Sequence, residues 1–79
     1  MRADEARALA VVGATRAMER TKERILETIG SLARGGCRDF SEWTSKAEGD
    51  QLGSYFEQLG YRVELTHHDR RGWRLSIVW

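Results

Sequence analysis

Residues 61–79 read Tyr61-Arg62-Val63-Glu64-Leu65-Thr66-His67-His68-Asp69-Arg70-Arg71-Gly72-Trp73-Arg74-Leu75-Ser76-Ile77-Val78-Trp79. Apolar Tyr61, Val63 and Leu65 alternate with Arg62, Glu64 and Thr66. Trp73, Leu75, Ile77 and Trp79 alternate with Arg74, Ser76 and Val78. Period-two alternation marks strands with one buried face. Both apolar sets must share that face, so paired residue numbers sum to an even number. A pairing that satisfies this sets Tyr61 opposite Trp79, Val63 opposite Ile77, Leu65 opposite Leu75 and His67 opposite Trp73. A one-residue slip would send half the apolar set into water. The segment is therefore a β-hairpin over 61–79. Its connection is about five residues, His68 to Gly72, and Gly72 supplies positive φ. Trp79 belongs to the core and not to a frayed tail.

Upstream of the hairpin, Leu52, Tyr55, Phe56 and Leu59 stand at i, i+3, i+4 and i+7. That spacing predicts a second helix over 46–59 with one buried face. Ser45-Lys46-Ala47-Glu48 fits a capping box at its start, with Asp50 an alternative cap. Gly60 is placed to end it in the left-handed region, followed by apolar Tyr61. Residues 35–45 read as a connector opened by Gly35-Gly36. A short third strand is allowed near residues 37–40, and Phe40 and Trp43 are expected to tuck under the core.

Residues 3–34 contain no proline and are rich in strong helix formers. Met18, Ile25, Leu26, Ile29, Leu32 and Ala33 form one stripe, with charged residues between them. Arg20–Glu23 and Arg24–Glu27 are spaced to pair on the surface. Gly30 is a mild cost, and Arg34 suits the C-terminal end of the dipole. The first half, 3–17, is alanine-rich around Leu9, Val11 and Val12, with Gly13 interrupting. Its heptad spacing lacks the large apolar residues of a strong coiled coil. It is expected either to fray or to pack on a second copy or a partner, which makes residues 3–17 the candidate surface for a homo-oligomer. The fold class is α+β: a long N-terminal helix, a short second helix and a C-terminal antiparallel hairpin, in one domain over 1–79.

Composition narrows the function classes. The chain has 79 residues and a net charge of +1. A DNA mimic needs a strongly acidic surface and a dedicated nucleic-acid binder a basic excess, so both are disfavoured. Charge is nonetheless uneven. Residues 37–60 carry Asp39, Glu42, Glu48, Asp50 and Glu57 against Arg38 and Lys46. Residues 61–79 carry Arg62, Arg70, Arg71 and Arg74 against Glu64 and Asp69. Cys37 is the only cysteine, so no internal disulfide forms and a reducing compartment is expected. Met1-Arg2-Ala3-Asp4-Glu5 puts acids where a secretory segment needs cations and an apolar run. The longest apolar stretch, Ala8–Val12, is far short of the roughly 20 residues that span a bilayer. No signal peptide and no membrane association are expected, and the cytoplasm is the expected location.

Candidates for chemistry are few. His67 and His68 are adjacent on a strand and face opposite ways, so they cannot share a metal. Cys37 has no base near it in sequence. The phosphate-loop spacing with its lysine is missing. No catalytic residue, metal ligand or cofactor site is assigned, and the chain reads as a non-enzyme. The sharpest exposed feature is Asp69-Arg70-Arg71-Gly72. Arg70 and Arg71, flanked by His68 and Arg74, are the partner-binding candidates, because guanidinium groups make paired, charge-assisted bonds to anionic groups. A charged hairpin tip is also an ordinary solvated turn. The helix-plus-basic-hairpin layout is shared with winged-helix DNA binders, but the helix that would enter DNA, 46–59, is acidic.

With these elements in place, the layout resembles small accessory proteins of tailed bacteriophages. They combine a long amphipathic helix ending in a Gly-containing break, a helix closing with Leu-Gly-Tyr, and a terminal hairpin. The residues carrying the resemblance are Ile25, Ile29, Leu32, Ala33 and Gly36. They continue through Leu52, Phe56, Leu59, Gly60, Tyr61 and Val63, then Leu75, Ser76, Ile77 and Trp79. The alanine-rich first third and Trp43 depart from the pattern. The resemblance implies a phage or mobile-element protein in the host cytoplasm that binds a host protein or protein complex. A counter-defence inhibitor such as an anti-CRISPR protein is the expected form. The alternatives are an oligomeric sponge holding a nucleotide signal against Arg70, Arg71 or Arg74, a small virion or assembly component, and a nucleic-acid-binding module.

Overall fold

The computed structural model describes residues 2–79, with the backbone alone described at residues 10–12 and 14. Its elements run α1 (Ala3–Arg34), β1 (Asp39–Thr44), α2 (Lys46–Gln58), β2 (Arg62–His68) and β3 (Gly72–Val78). The strands form one antiparallel sheet in the order β1-β3-β2. The fold is α+β, as the alternation and the helical stripes require.

The hairpin pairs in the expected register, one of those that parity allows: Val63 with Ile77, Leu65 with Leu75 and His67 with Trp73. Tyr61 and Trp79 lie just beyond the ladder and meet ring edge to ring face, centroids 6.4 Å apart. Trp79 is half-buried against the core. The connection is shorter than expected. His68 pairs with Gly72, leaving only Asp69, Arg70 and Arg71 to turn.

Each main element gives the core two fully or nearly fully buried side chains: Ile25 and Ile29 from α1, Leu52 and Phe56 from α2, Leu75 and Ile77 from β3. Burying a side chain of this size contributes about 1.5–3 kcal/mol. All six lie between the helices and one face of the sheet. The opposite face carries Asp39, Ser41 and Trp43 from β1, Arg74, Ser76 and Val78 from β3, and Arg62, Glu64, Thr66 and His68 from β2. Among the described residues no helix packs on it.

Both helices end in the same way. After α2, the N–H of Tyr61 donates to the C=O of Phe56 (3.1 Å) and that of Gly60 to Glu57 (3.0 Å). After α1, Cys37 donates to Leu32 (2.9 Å) and Gly36 to Ala33 (3.1 Å). These are paired Schellman closures, and they require the positive φ of Gly60 (96°) and Gly36 (89°). At the start of α2 the Ser45 hydroxyl accepts from the Glu48 N–H at 3.2 Å, as the capping box predicts. The Glu48 carboxylate does not complete the box; its contact is the Thr44 hydroxyl.

Several expectations are corrected. The third strand is not confined to 37–40: most of the connector is strand β1, paired with β3 along its length. Trp43 does not tuck under the core. It sits on the open face, 44% exposed, because inward parity on β1 belongs to Phe40, Glu42 and Thr44. Leu59 is 51% exposed, since α2 ends at Gln58 and Leu59 is its cap. Ala33 is exposed in the last turn of α1. Arg24 pairs with Glu42 of β1 (2.8 Å) and not with Glu27, and α1 also carries the ion pair Lys22–Glu19 (3.1 Å). A strand carboxylate already held against the helix offers Arg24 a better-placed partner than a solvated neighbour one turn away.

The described side chains among residues 2–17 are all exposed, Leu9 at 59%. This half of α1 is an arm beyond the core. The expectations for Val11 and Val12 lie outside the described side chains. Among the described residues no helix is long and apolar enough to cross a membrane.

Candidate functional site

The turn after β2 builds the site. Arg71 N–H donates to the His68 carbonyl at 3.3 Å, which closes the three-residue connection. Closure this tight needs positive φ at Gly72 (88°) and also at Arg70 (74°). A side chain in that region costs about 1–2 kcal/mol, so the turn holds Arg70 in an unfavourable backbone state at its apex.

The two histidines face opposite sides of the sheet, and each meets a tryptophan. His67, on the helix side, packs against Trp73 with ring centroids 4.9 Å apart, and Lys46 Nζ stands 5.9 Å from the Trp73 ring. His68, on the open side, meets Trp43 in a T-shaped contact at 5.2 Å. Trp43 is on β1 and His68 on β2, with β3 between them. They reach each other because His68 faces Gly72 on β3, which has no side chain to keep them apart. The Arg71 guanidinium lies over the Trp43 ring, 5.8 Å from its centroid, a cation–π arrangement. Arg74, paired with Trp43 in the ladder, donates from Nη2 to Ser41 Oγ at 3.3 Å. Ser41 and Ser76 hydroxyls are 3.2 Å apart beside it.

The candidate residues thus gather at one end of the open face. Arg71, Arg74 and His68 surround Trp43, and Arg70 extends from the apex. Among the described residues none of these arginines has a carboxylate partner. The ion pairs among the described residues are Lys22–Glu19, Arg24–Glu42 and Lys46–Asp50. Trp43 was missed as a site residue because its size marks it for a core. Continuing the outward set Asp39, Ser41, Trp43 would have found it.

The arrangement is suited to binding. A half-exposed indole offers a flat apolar contact, and the uncompensated guanidinium groups offer donors for an anionic group beside it. The hydroxyls of Ser41 and Ser76 touch each other, and that of Ser41 accepts from Arg74, which is not a base. Among the described residues no group of three or more His, Cys, Asp or Glu side chains is placed to hold a metal ion. Cys37 is exposed at the end of α1, distant in the fold's layout from the tip. A wider cleft of about 530 Å³ lies between α1 and the start of α2, walled by Met18, Lys22, Glu48 and Gln51 among others. Lys22 there is engaged with Glu19 and the Tyr55 ring (4.6 Å), so the cleft lacks a free convergent group.

Comparison with protein-family models, with curated proteins and with solved structures finds no match to this chain.

Proposed function

We propose that this chain is a non-enzymatic binding protein that docks on a partner protein through the hairpin-tip end of its open sheet face. The observation that carries the reading is Trp43: 44% exposed on a helix-free surface, with His68, Arg71 and Arg74 around it. Tryptophan and arginine dominate the energetics of protein interfaces. An acidic patch on the partner would complement the unpaired arginines. The chain's near-neutral charge favours a protein over a nucleic acid as the partner. The source of the partner follows from the likeness to phage accessory proteins: a host complex, occluded by the docked chain, as in a counter-defence inhibitor of the anti-CRISPR kind.

The test is affinity capture from host lysate with immobilised wild type, Trp43→Ala, the double variant Arg71→Glu/Arg74→Glu, and Arg20→Glu on the polar face of α1 as control. A discrete complex should be retained by wild type and the control and lost from both tip variants. Truncating an interface anchor costs about 2 kcal/mol or more, roughly thirtyfold in affinity. Equal capture by all four proteins would remove the tip from the interface. A melting shift with cyclic nucleotides, without a captured protein, would move the site to the nucleotide-sponge reading.

A further inference from the structure

The two edges of the sheet are not alike. Trp79 N–H donates to the Arg38 carbonyl at 3.0 Å, which makes that pair a hydrogen-bonded one. Antiparallel pairs alternate between bonded and non-bonded. Residues 73, 75 and 77 of β3 therefore turn their amides and carbonyls toward β1, and residues 72, 74, 76 and 78 turn theirs toward β2. On β2 this assigns Arg62, Glu64, Thr66 and His68 to β3. It leaves the backbone groups of Val63, Leu65 and His67 directed outward, with no partner among the described residues.

Edges are usually blunted by shortness, proline, lysine or a bulge. β2 runs regularly for seven residues without proline, its register with β3 is unbroken, and its two charges, Arg62 and Glu64, both stand on the open face. Beside it, on the helix side, is a shallow cleft of about 210 Å³ between β2 and α2. Val63 and Leu65 line one wall; Asp50, Ser54 and Glu57 line the other. Among the described residues Glu57 has no ion-pair partner, and neither does Glu64 on the other flank of the same edge. The β1 edge differs: its helix-side flank is closed by the Arg24–Glu42 ion pair, and Trp43 occupies its outer flank.

We infer that the outer edge of β2, with α2 alongside, accepts an extended basic segment of a partner protein as a fourth strand. The outward amides and carbonyls of Val63, Leu65 and His67 supply the main-chain bonds, the mode of strand addition to an open edge. Alternate side chains of the incoming strand face Glu57 on one side, where Asp50 is already paired with Lys46, and Glu64 on the other. Acidic residues on both flanks select lysine or arginine at those positions and disfavour acids. This surface is separate from the Trp43 cluster and does not depend on its role.

The experiment uses the full chain and a fluorescein-labelled lysine–valine peptide, Val-Lys-Lys-Val-Lys-Lys-Val, which presents lysine on both faces and matches the seven residues of β2. Binding is read by anisotropy and amide exchange by NMR. The expected result is saturable binding with slowed exchange at Val63, Leu65 and His67. Affinity should fall at least about tenfold for a glutamate–valine peptide, for the lysine–valine peptide N-methylated at alternate residues, and for Glu57→Lys/Glu64→Lys protein. The N-methyl peptide keeps its charge and loses its donors, so it separates strand addition from simple charge attraction. The charged positions are exposed, so the protein variant keeps its fold. The inference is overturned by absence of binding up to about 1 mM, by undiminished binding of the N-methyl peptide, by protection confined to β1, or by a dimer formed through this edge in sedimentation.

Discussion

Replacing Gly49 by alanine tests how closely α2 lies on the sheet. A Cβ at this position would stand 2.7 Å from Leu65 Cδ1, 3.1 Å from Leu65 Cδ2 and 3.0 Å from Thr44 Cγ2. Both ends of the leucine are in the way, so no single rotation clears the space, and Thr44 is β-branched and stiff. Overpacking of this kind costs about 1–3 kcal/mol. Alanine returns about 1 kcal/mol of helix propensity relative to glycine. The net loss is about 1 kcal/mol, a fall in Tm of roughly 4–8 °C for a domain of this size. Gly30→Ala in α1 is the internal control. Its Cβ would meet only Arg34 Nη1, at an ordinary 3.6 Å, so it gains the propensity without the clash and raises Tm by a similar amount. The difference between the two variants, about 2 kcal/mol, isolates the packing term. Urea unfolding of both, with circular dichroism as the probe, measures it. If Gly49→Ala proves as stable as wild type, α2 does not sit on Leu65 at this distance and the packing argument fails.

Phe56→Ala removes a fully buried ring that touches both Tyr55 and Tyr61; a loss of about 3–5 kcal/mol is expected, enough to abolish cooperative thermal unfolding in so small a chain. Ser45→Ala leaves the Glu48 N–H without its side-chain acceptor and should cost about 1 kcal/mol in urea unfolding. Arg70→Gly relieves the positive φ at the turn apex. Set against the extra freedom of glycine in the unfolded chain, a gain of about 0.5–1 kcal/mol is expected, and a loss of stability would show that Arg70 makes a compensating contact.

The hairpin was legible because two apolar strands constrain each other: only one parity buries Val63, Leu65, Leu75 and Ile77 together. The end of α2 was legible because Gly60-Tyr61 carries the Schellman closure in its residue types. β1 was legible only at its start, where a short strand near 37–40 was allowed, and the reason is Glu42. An inward strand position filled by a carboxylate breaks the apolar alternation, and its partner Arg24 lies on another element, where no local pattern reaches. Trp43 followed from the same gap. Without a strand there is no parity, and size alone then sends an indole inward. Leu59 failed for a different reason. Helical spacing extends a stripe indefinitely, but burial stops where the helix does, and the cap residue has already turned away. The arginines and His68 were placed at the tip correctly, whereas the aromatic centre they surround came only from the sheet order β1-β3-β2.

That sheet order also distributes the three tryptophans into two optical groups. Trp43 and Trp73 stand at the turn end, each against an imidazole, while Trp79 stands at the opposite end against Tyr61. A Trp79→Phe protein would fluoresce from the turn end alone, and a Trp43→Phe/Trp73→Phe protein from the far end alone. The chain therefore carries its own pair of position-specific reporters. Occupancy of the open face at one end and melting of the core at the other can be followed separately, in one cuvette series and without an attached dye.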